Sequence, residues 1–327
     1  MSLPSFQLLR PTRLTEAVEM LSKHSDQVKV IAGGTDLLPS MKQKLFTPPY
    51  VVDLRGIAEL RGIQATADGG VSIGALTTLA VVEHSPVIRR DYPVLYEATK
   101  TIASPVLRNM GTLGGNICLD TRCLWYNQSL LWRKSCGFCL KKDGDLCHVA
   151  PGGKTCWAAF SGDTPPALLC LGAEVEILGP GGIRRLPMAE FYVNDGIVRL
   201  HLAPDEIVAR VCLPASTRGW RGSYQKLRVR GSIDYPLAGV AVALKLRHGR
   251  VEDARMAITA VNPAPHLVKD VDAHLLGMEV REKLAEQVGE LAARTAKPLT
   301  TSALTPEYRR EMVKVFAKRA LLQAAAN

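Results

Sequence analysis

The sequence predicts an α+β protein of three subdomains. Three observations carry this reading. Short apolar runs broken by glycine-rich turns fill the first two thirds of the chain, a long apolar hairpin pattern follows, and two helical patterns close it. At 327 residues the chain has room for two or three domains of roughly 150 residues.

In order, Val28–Ala32 is a short apolar strand, Gly33-Gly34-Thr35-Asp36 a turn, Leu37–Lys44 a helix and Tyr50–Leu54 a returning strand. These make a first unit over residues 1–60. The second unit, 61–218, starts with two strands around Asp68-Gly69-Gly70 and continues with helices around Val81 and Val94–Ile102. After a cysteine-rich stretch at about 118–160, Pro165–Leu171 is a helical turn, and Ala173–Leu178 and Glu206–Leu213 are strands. The third unit, 219–327, pairs Leu237–Arg247 with Val251–Val261 about His248-Gly249-Arg250. Helices follow over Val280–Ala296 and Pro306–Ala324, the latter with Thr305 as cap and Pro306 in its first turn.

Composition excludes several classes. Aromatics are 6%, so the core is aliphatic, and the 47% apolar content is ordinary for a globular chain. No apolar run approaches the roughly 18 residues that span a bilayer. The start, Met-Ser-Leu-Pro-Ser-Phe-Gln, lacks the basic and apolar regions of a secretion signal, so a cytoplasmic protein without membrane attachment is expected. The net charge of +10 comes from scattered residues, a pattern that supports nucleic acid binding poorly and fits an acidic protein partner equally well. Six of the eight cysteines lie between Cys118 and Cys156, and in a reducing compartment such a cluster points to metal ligation rather than disulfides.

Two glycine loops carry binding chemistry. Gly33-Gly34-Thr35-Asp36 links a strand to a helix, which aims backbone N–H groups and a helix dipole at one spot. Gly111-Thr112-Leu113-Gly114-Gly115-Asn116 is a second such loop. Together they suit a diphosphate gripped from two sides, or are two ordinary tight turns. Neither matches the dinucleotide or phosphate-loop fingerprints.

The ordered set Ile31-Ala32-Gly33-Gly34-Thr35-Asp36-Leu37-Leu38-Pro39, Ile73-Gly74-Ala75-Leu76-Thr77 and Arg108-Asn109-Met110-Gly111-Thr112-Leu113-Gly114-Gly115-Asn116-Ile117 resembles the FAD-binding subunit of the molybdenum hydroxylase family, which includes xanthine dehydrogenase and carbon monoxide dehydrogenase. Ser161-Gly162-Asp163-Thr164-Pro165-Pro166-Ala167-Leu168 resembles its Asp-containing flavin segment, and Tyr308-Arg309-Arg310 to Arg319-Ala320-Leu321 its last helix. The resemblance implies a FAD-binding fold of the vanillyl-alcohol-oxidase/PCMH type with two α/β subdomains, a cysteine-rich insertion and a C-terminal sheet-plus-helices domain. It implies FAD contacts from Val30, Ile31, Ala32, Gly33, Gly34, Thr35, Asp36 and Leu37, from Ile73 and Thr77, and from Gly111, Thr112, Gly114, Gly115 and Asn116. Asp163 would bond near the flavin, Tyr224 would lie against its face, and Lys226 would place positive charge near its ring. Lys226 reads equally well as a solvated strand residue. No Ser-His-Asp or paired-carboxylate arrangement stands out, so no catalytic residue is expected in this chain.

The cysteines run Cys118-x4-Cys123-x12-Cys136-x2-Cys139-x7-Cys147-x8-Cys156. Four thiolates suit a tetrahedral zinc or a cubane iron–sulfur cluster, and His148 is a possible zinc ligand. Cys170 and Cys212 read as structural thiols. Most members of the family pass from the second loop to the Asp segment in far fewer residues. A flavin subunit with an insertion of this size resembles the 4-hydroxybenzoyl-CoA reductase group of the family. That resemblance implies a [4Fe–4S] cluster on Cys123, Cys139, Cys147 and Cys156, with a set that uses Cys136 still open.

It further implies a heterohexamer-like complex with a molybdopterin-binding subunit and a [2Fe–2S] subunit. Electrons would run from reduced ferredoxin to the [4Fe–4S] cluster and FAD, then to a molybdenum site that converts 4-hydroxybenzoyl-CoA to benzoyl-CoA. Arg122, Arg133, Lys134, Lys141, Lys142 and Lys154 outnumber Asp143 and Asp145 in the insertion, an excess expected to attract an acidic ferredoxin.

Overall fold

A computed structural model describes residues 2–326. Three sheets succeed one another along the chain. The first is parallel, in the order β1 (Gln7–Leu9), β3 (Tyr50–Asp53), β2 (Val28–Ile31). The helix Leu14–His24 covers it with Leu14, Ala17, Val18 and Leu21, apolar positions spaced to form one helical stripe. Leu14, Val18 and Leu21 each contribute roughly 1.5–3 kcal/mol on full burial.

The second sheet is antiparallel, in the order β4 (Ile63–Ala65), β5 (Val71–Gly74), β8 (Ile207–Leu213), β6 (Glu174–Gly179), β7 (Gly182–Pro187). Leu76, Ile207 and Ala209 from this unit pack into the core of the first sheet, so the two units share apolar contacts.

The third sheet is antiparallel, in the order β12 (His266–Leu267), β11 (Arg250–Thr259), β10 (Ala238–Arg247), β9 (Arg221–Leu227). The unbroken apolar run of β10 is explained by burial on both faces. Ala238, Val240, Val242 and Leu244 meet the helices Glu282–Thr295 and Pro306–Ala326. Ala241 and Ala243 face the core of the second unit, with the helices Pro93–Lys100 and Thr164–Cys170.

Four strands differ from the sequence expectation. β1 is three residues long, and β12 two, too short for periodicity to register. β7 is an exposed edge that carries Arg184 and Arg185, and β9 mixes Gly222 and Ser223 into its buried stretch. The helix Thr164–Cys170 starts within the expected turn, and Thr305 Oγ1 accepts from Tyr308 N–H at 3.2 Å as the cap of the last helix.

The insertion is mostly irregular, with one short helix at Leu130–Ser135. It is tied to the third unit through Leu124 N–H to Thr301 O at 2.9 Å, and to the first through Arg133 Nη2 to Lys44 O at 3.0 Å.

Arg309 is a further tie. Fully buried, it donates to Leu237 O at 2.9 Å, Leu299 O at 2.9 Å and Ala260 O at 2.6 Å, joining the last helix to the sheet and its loops. Arg309→Met removes all three bonds, leaves the Leu237 and Ala260 carbonyls without donors, and is expected to cost about 3 kcal/mol or more in denaturant unfolding. Arg309→Lys should recover little, because a single ammonium cannot reach all three.

Candidate functional site: a cleft between the glycine loops and a neighbouring cysteine void

A cleft of about 1020 Å³ opens where the first two sheets meet. That is at the top of the usual range of about 300–1,000 Å³ for ligand sites, and suits an extended cofactor. The two glycine loops form its walls. They touch so closely that a Cβ on Gly33 would lie 1.9 Å from Met110 O. Gly34 has φ +74°, a conformation that other residues rarely adopt.

The loops differ in what they offer. Among the described residues, the backbone N–H groups of Gly33, Gly34, Thr35 and Asp36 donate to nothing in the chain. The second loop spends its donors internally: Gly111 N–H on Leu107 O at 2.8 Å, Leu113 N–H on Thr77 O at 3.0 Å and Gly114 N–H on Ala75 O at 2.8 Å. Thr112 Oγ1 takes Gly115 N–H at 3.0 Å, capping the helix Leu113–Ile117. The first loop is therefore the anion-facing element, and the second is its backing.

Asp163 lies at the inner end of the cleft, and 3% of it is exposed. Its Oδ2 meets Lys226 Nζ at 3.0 Å, and its Oδ1 accepts from Tyr224 Oη at 2.8 Å. Burial pushes the carboxyl up from its ordinary value, and Lys226 and Tyr224 pull it back in part. Asn116 Oδ1 accepts from Thr164 N–H at 3.1 Å, tying the second loop to this segment. A Cβ on Gly239 would come within 2.5 Å of Tyr224 Oη, so only a glycine there lets the phenol pass across the sheet to Asp163.

Of the residues expected at the cofactor, Val30, Ala32, Gly33 to Leu37, Gly111, Thr112, Gly114, Gly115, Asn116 and Asp163 line the cleft. The structure does not bring Ile31, Ile73, Thr77, Tyr224 or Lys226 to its surface. Ile31 points into a small apolar core with Met41 and Val51. Ile73 is fully buried in the second core, and Thr77 Oγ1 bonds the Gly62 backbone. Tyr224 and Lys226 stand behind Asp163, their polar ends spent on it, so Lys226 is neither solvated nor in the cleft. Sequence reasoning missed the wall from Ile197 to Val208 and Tyr235, which carry no motif. Tyr235 Oη and Arg122 both bond Asp36, and Arg122 lies 3.7 Å over the Tyr235 ring.

Beside the cleft, Cys123, Cys139, Cys147 and Cys156 line one small void of about 20 Å³. All four are buried and none is in a disulfide. Burial pushes the Cys123 and Cys156 thiols up to about 11. Cys136 caps the C-terminus of the Leu130–Ser135 helix, and Cys118 lines the large cleft; neither faces the void.

Among the described residues, no group of three or more His, Cys, Asp or Glu side chains could hold a metal ion. His148 lines the same void, with its Nε2 against Phe138 O at 2.5 Å and its ring stacked on Trp125 at 4.3 Å. The six cations of the insertion are not equally free: Arg133 is fully buried, Lys141 is 6% exposed against Asp120, and Arg122, 25% exposed, is turned onto Asp36.

Two outcomes are expected. Gly33→Ala forces the loops apart and should cut the flavin retained on purification at least tenfold, read from the flavin absorbance per protein. Asp163→Asn strands the buried Lys226 ammonium and should cost about 3 kcal/mol, whereas Asp163→Asn with Lys226→Met should unfold later than Asp163→Asn alone.

Residues 4–216 match the family described as FAD binding domain in molybdopterin dehydrogenase, and residues 222–324 match the CO dehydrogenase flavoprotein C-terminal domain. The chain is 30% identical to the carbon monoxide dehydrogenase medium chain of Afipia carboxidovorans over 99% of this chain and 98% of that one. It is 29% identical to the nicotine 6-hydroxylase medium subunit of Paenarthrobacter nicotinovorans, with both chains covered in full. The solved structure of reconstituted CO dehydrogenase from Oligotropha carboxidovorans superimposes with a TM-score of 0.83 at 28% identity, covering 100% of this chain and 99% of that one. With its loops, cleft and C-terminal sheet in this arrangement, the chain belongs to the FAD-binding subunits of the molybdenum hydroxylase family.

Proposed function

We propose that the chain is the FAD- and [4Fe–4S]-carrying electron-transfer subunit of an enzyme of the 4-hydroxybenzoyl-CoA reductase type. Reduced ferredoxin is its donor. Its partners are a [2Fe–2S] subunit and a molybdopterin-binding subunit that removes the phenolic hydroxyl from 4-hydroxybenzoyl-CoA. That reaction takes two electrons and two protons, and releases benzoyl-CoA and water.

The observation that carries the proposal is the convergence of Cys123, Cys139, Cys147 and Cys156 on one buried void, with Cys118 and Cys136 turned elsewhere. A single zinc held by four thiolates at about 2.3 Å requires sulfurs nearly in contact. A cubane assigns each thiolate to its own iron and so needs four thiols around one space. The four buried thiols that line this void match that ligand count, which supports the cluster reading.

The cleft fits FAD on equally local grounds. The four free N–H groups of Gly33 to Asp36 would hold the diphosphate, while Gly114 packs against Ala75 and keeps the second loop close. Bound FAD and a cluster supply electron exchange in steps of one or two, which suits a relay rather than bond breaking. The chain's own residues shape the cleft, neutralise charge and keep the two sites a fixed distance apart. Medium-chain and medium-subunit names among the relatives agree with a role inside a larger assembly. With half of the insertion's cations paired within the chain, ferredoxin docking is expected to depend only shallowly on salt.

The second reading is a flavin subunit of another molybdenum hydroxylase. The relatives' names favour it, since they refer to carbon monoxide, nicotine and glyceraldehyde.

The purified complex should contain about four irons on this chain beyond those of its partners. Serine at Cys123, Cys139, Cys147 or Cys156 should each abolish that iron, and Cys136→Ser should retain it. Reduced ferredoxin should drive release of benzoyl-CoA from 4-hydroxybenzoyl-CoA. Loss of iron in Cys136→Ser overturns the ligand set. Turnover of an aldehyde, purine or carbon monoxide without dehydroxylation overturns the substrate.

A further inference from the structure

The cleft and the cysteine void share a wall, and among the described residues only Tyr126 and Lys141 line both. Lys141 is buried there, with its side chain 6% exposed. Its Nζ donates to Asp120 Oδ1 at 2.8 Å, to Gly196 O at 2.7 Å and to Thr121. Tyr126 Oη donates to the other Asp120 oxygen at 3.0 Å, and the Lys141 ammonium lies 4.6 Å from the Tyr126 ring centroid. Arg199, itself in the cleft wall, brings Nε to 3.8 Å from Asp120 Oδ1. One carboxylate thus stands between two cations: the buried Lys141 ammonium pairs with it at 2.8 Å, and the excess positive charge lies toward Arg199, 32% exposed in the cleft wall.

A fixed charge in such surroundings acts strongly on neighbours, because solvent screens it little. Adding an electron to a group on either side of the wall makes that group more negative. The partition cation favours that change on both sides at once. Without the Lys141 ammonium, Gly196 N–H is still held by Cys156 O at 2.8 Å and Tyr126 by its own backbone turn to Cys123, whereas Asp120 loses its nearest cation.

We propose that Lys141 is an electrostatic positioning residue shared by the two sites, its ammonium raising the ease of reduction on both sides of the partition. The inference rests on the flavin and iron–sulfur reading above.

The test is a reductive titration of the complete holoenzyme with dithionite. The flavin is followed by absorbance and the cluster by electron paramagnetic resonance, with flavin and iron counted in each variant. Lys141→Met should retain both groups and make both harder to reduce, by at least tenfold in each reduction equilibrium, or about 59 mV for one electron. Lys141→Arg should behave like the parent. Arg199→Gln, at a half-exposed position, should shift both in the same direction by less.

Unchanged midpoints in Lys141→Met with both groups retained overturn the proposal, as does movement of one midpoint alone. If Lys141→Met does not fold, unchanged midpoints in Arg199→Gln overturn it. Absence of iron from the parent protein overturns the iron–sulfur reading itself, and the shared role falls with it.

Discussion

The buried knot of Asp163, Lys226 and Tyr224 is the contact on which the arrangement of the three units depends. Asp163 begins the helix Thr164–Cys170 of the second unit, whereas Lys226 and Tyr224 come from β9 of the third. A charged pair with side chains 3% and 4% exposed is stable only with its remaining bonds made. Tyr224 Oη and Thr101 O make them. Gly239 and the small residues of β10 leave the room, and Asn116 carries the restraint on to the second glycine loop. The cleft floor is thereby set by long-range pairing, while its donors come from a short local turn.

That division explains the unlike behaviour of two loops with similar composition. Gly33 to Asp36 keep their N–H groups free because they form the turn between β2 and the helix Leu37–Lys42, ahead of the first helical bond, from Leu38 N–H to Gly34 O. The second loop meets Ala75, Thr77 and Leu107 and is consumed by them. Glycine is required in both, at Gly34 for its backbone angle and at Gly33 and Gly114 for close backbone approach.

The insertion adds a second polar interior beside the first. Three of its six cations, which in the sequence resemble a docking surface, are held by the chain itself: Arg133 by carbonyls of the first unit, Arg122 by Asp36, Lys141 by Asp120. They replace the regular secondary structure that the segment lacks as a means of fastening it to the body. Charge counted along a chain says nothing about which side chains find a carbonyl or carboxylate within reach.

The sequence by itself determined the strand–glycine–helix order of the first unit, the Ala238–Arg247 and Arg250–Thr259 hairpin, the two closing helices and the identity of the first loop. Each of these follows from residues near one another in the chain, through periodicity, turn chemistry and capping. The same is true of the clustering of the cysteines, but not of their sorting. Only the tertiary structure decided that Cys123, Cys139, Cys147 and Cys156 face one void while Cys136, three residues from Cys139, ends a helix and faces away. It alone decided that Tyr224 and Lys226 brace Asp163 from behind, that Ile73 and Thr77 serve the core, and that Tyr235 and Arg199 reach the cleft. These outcomes depend on which distant surfaces meet, and local backbone preference holds no information about the partner a side chain finds across a packed interface.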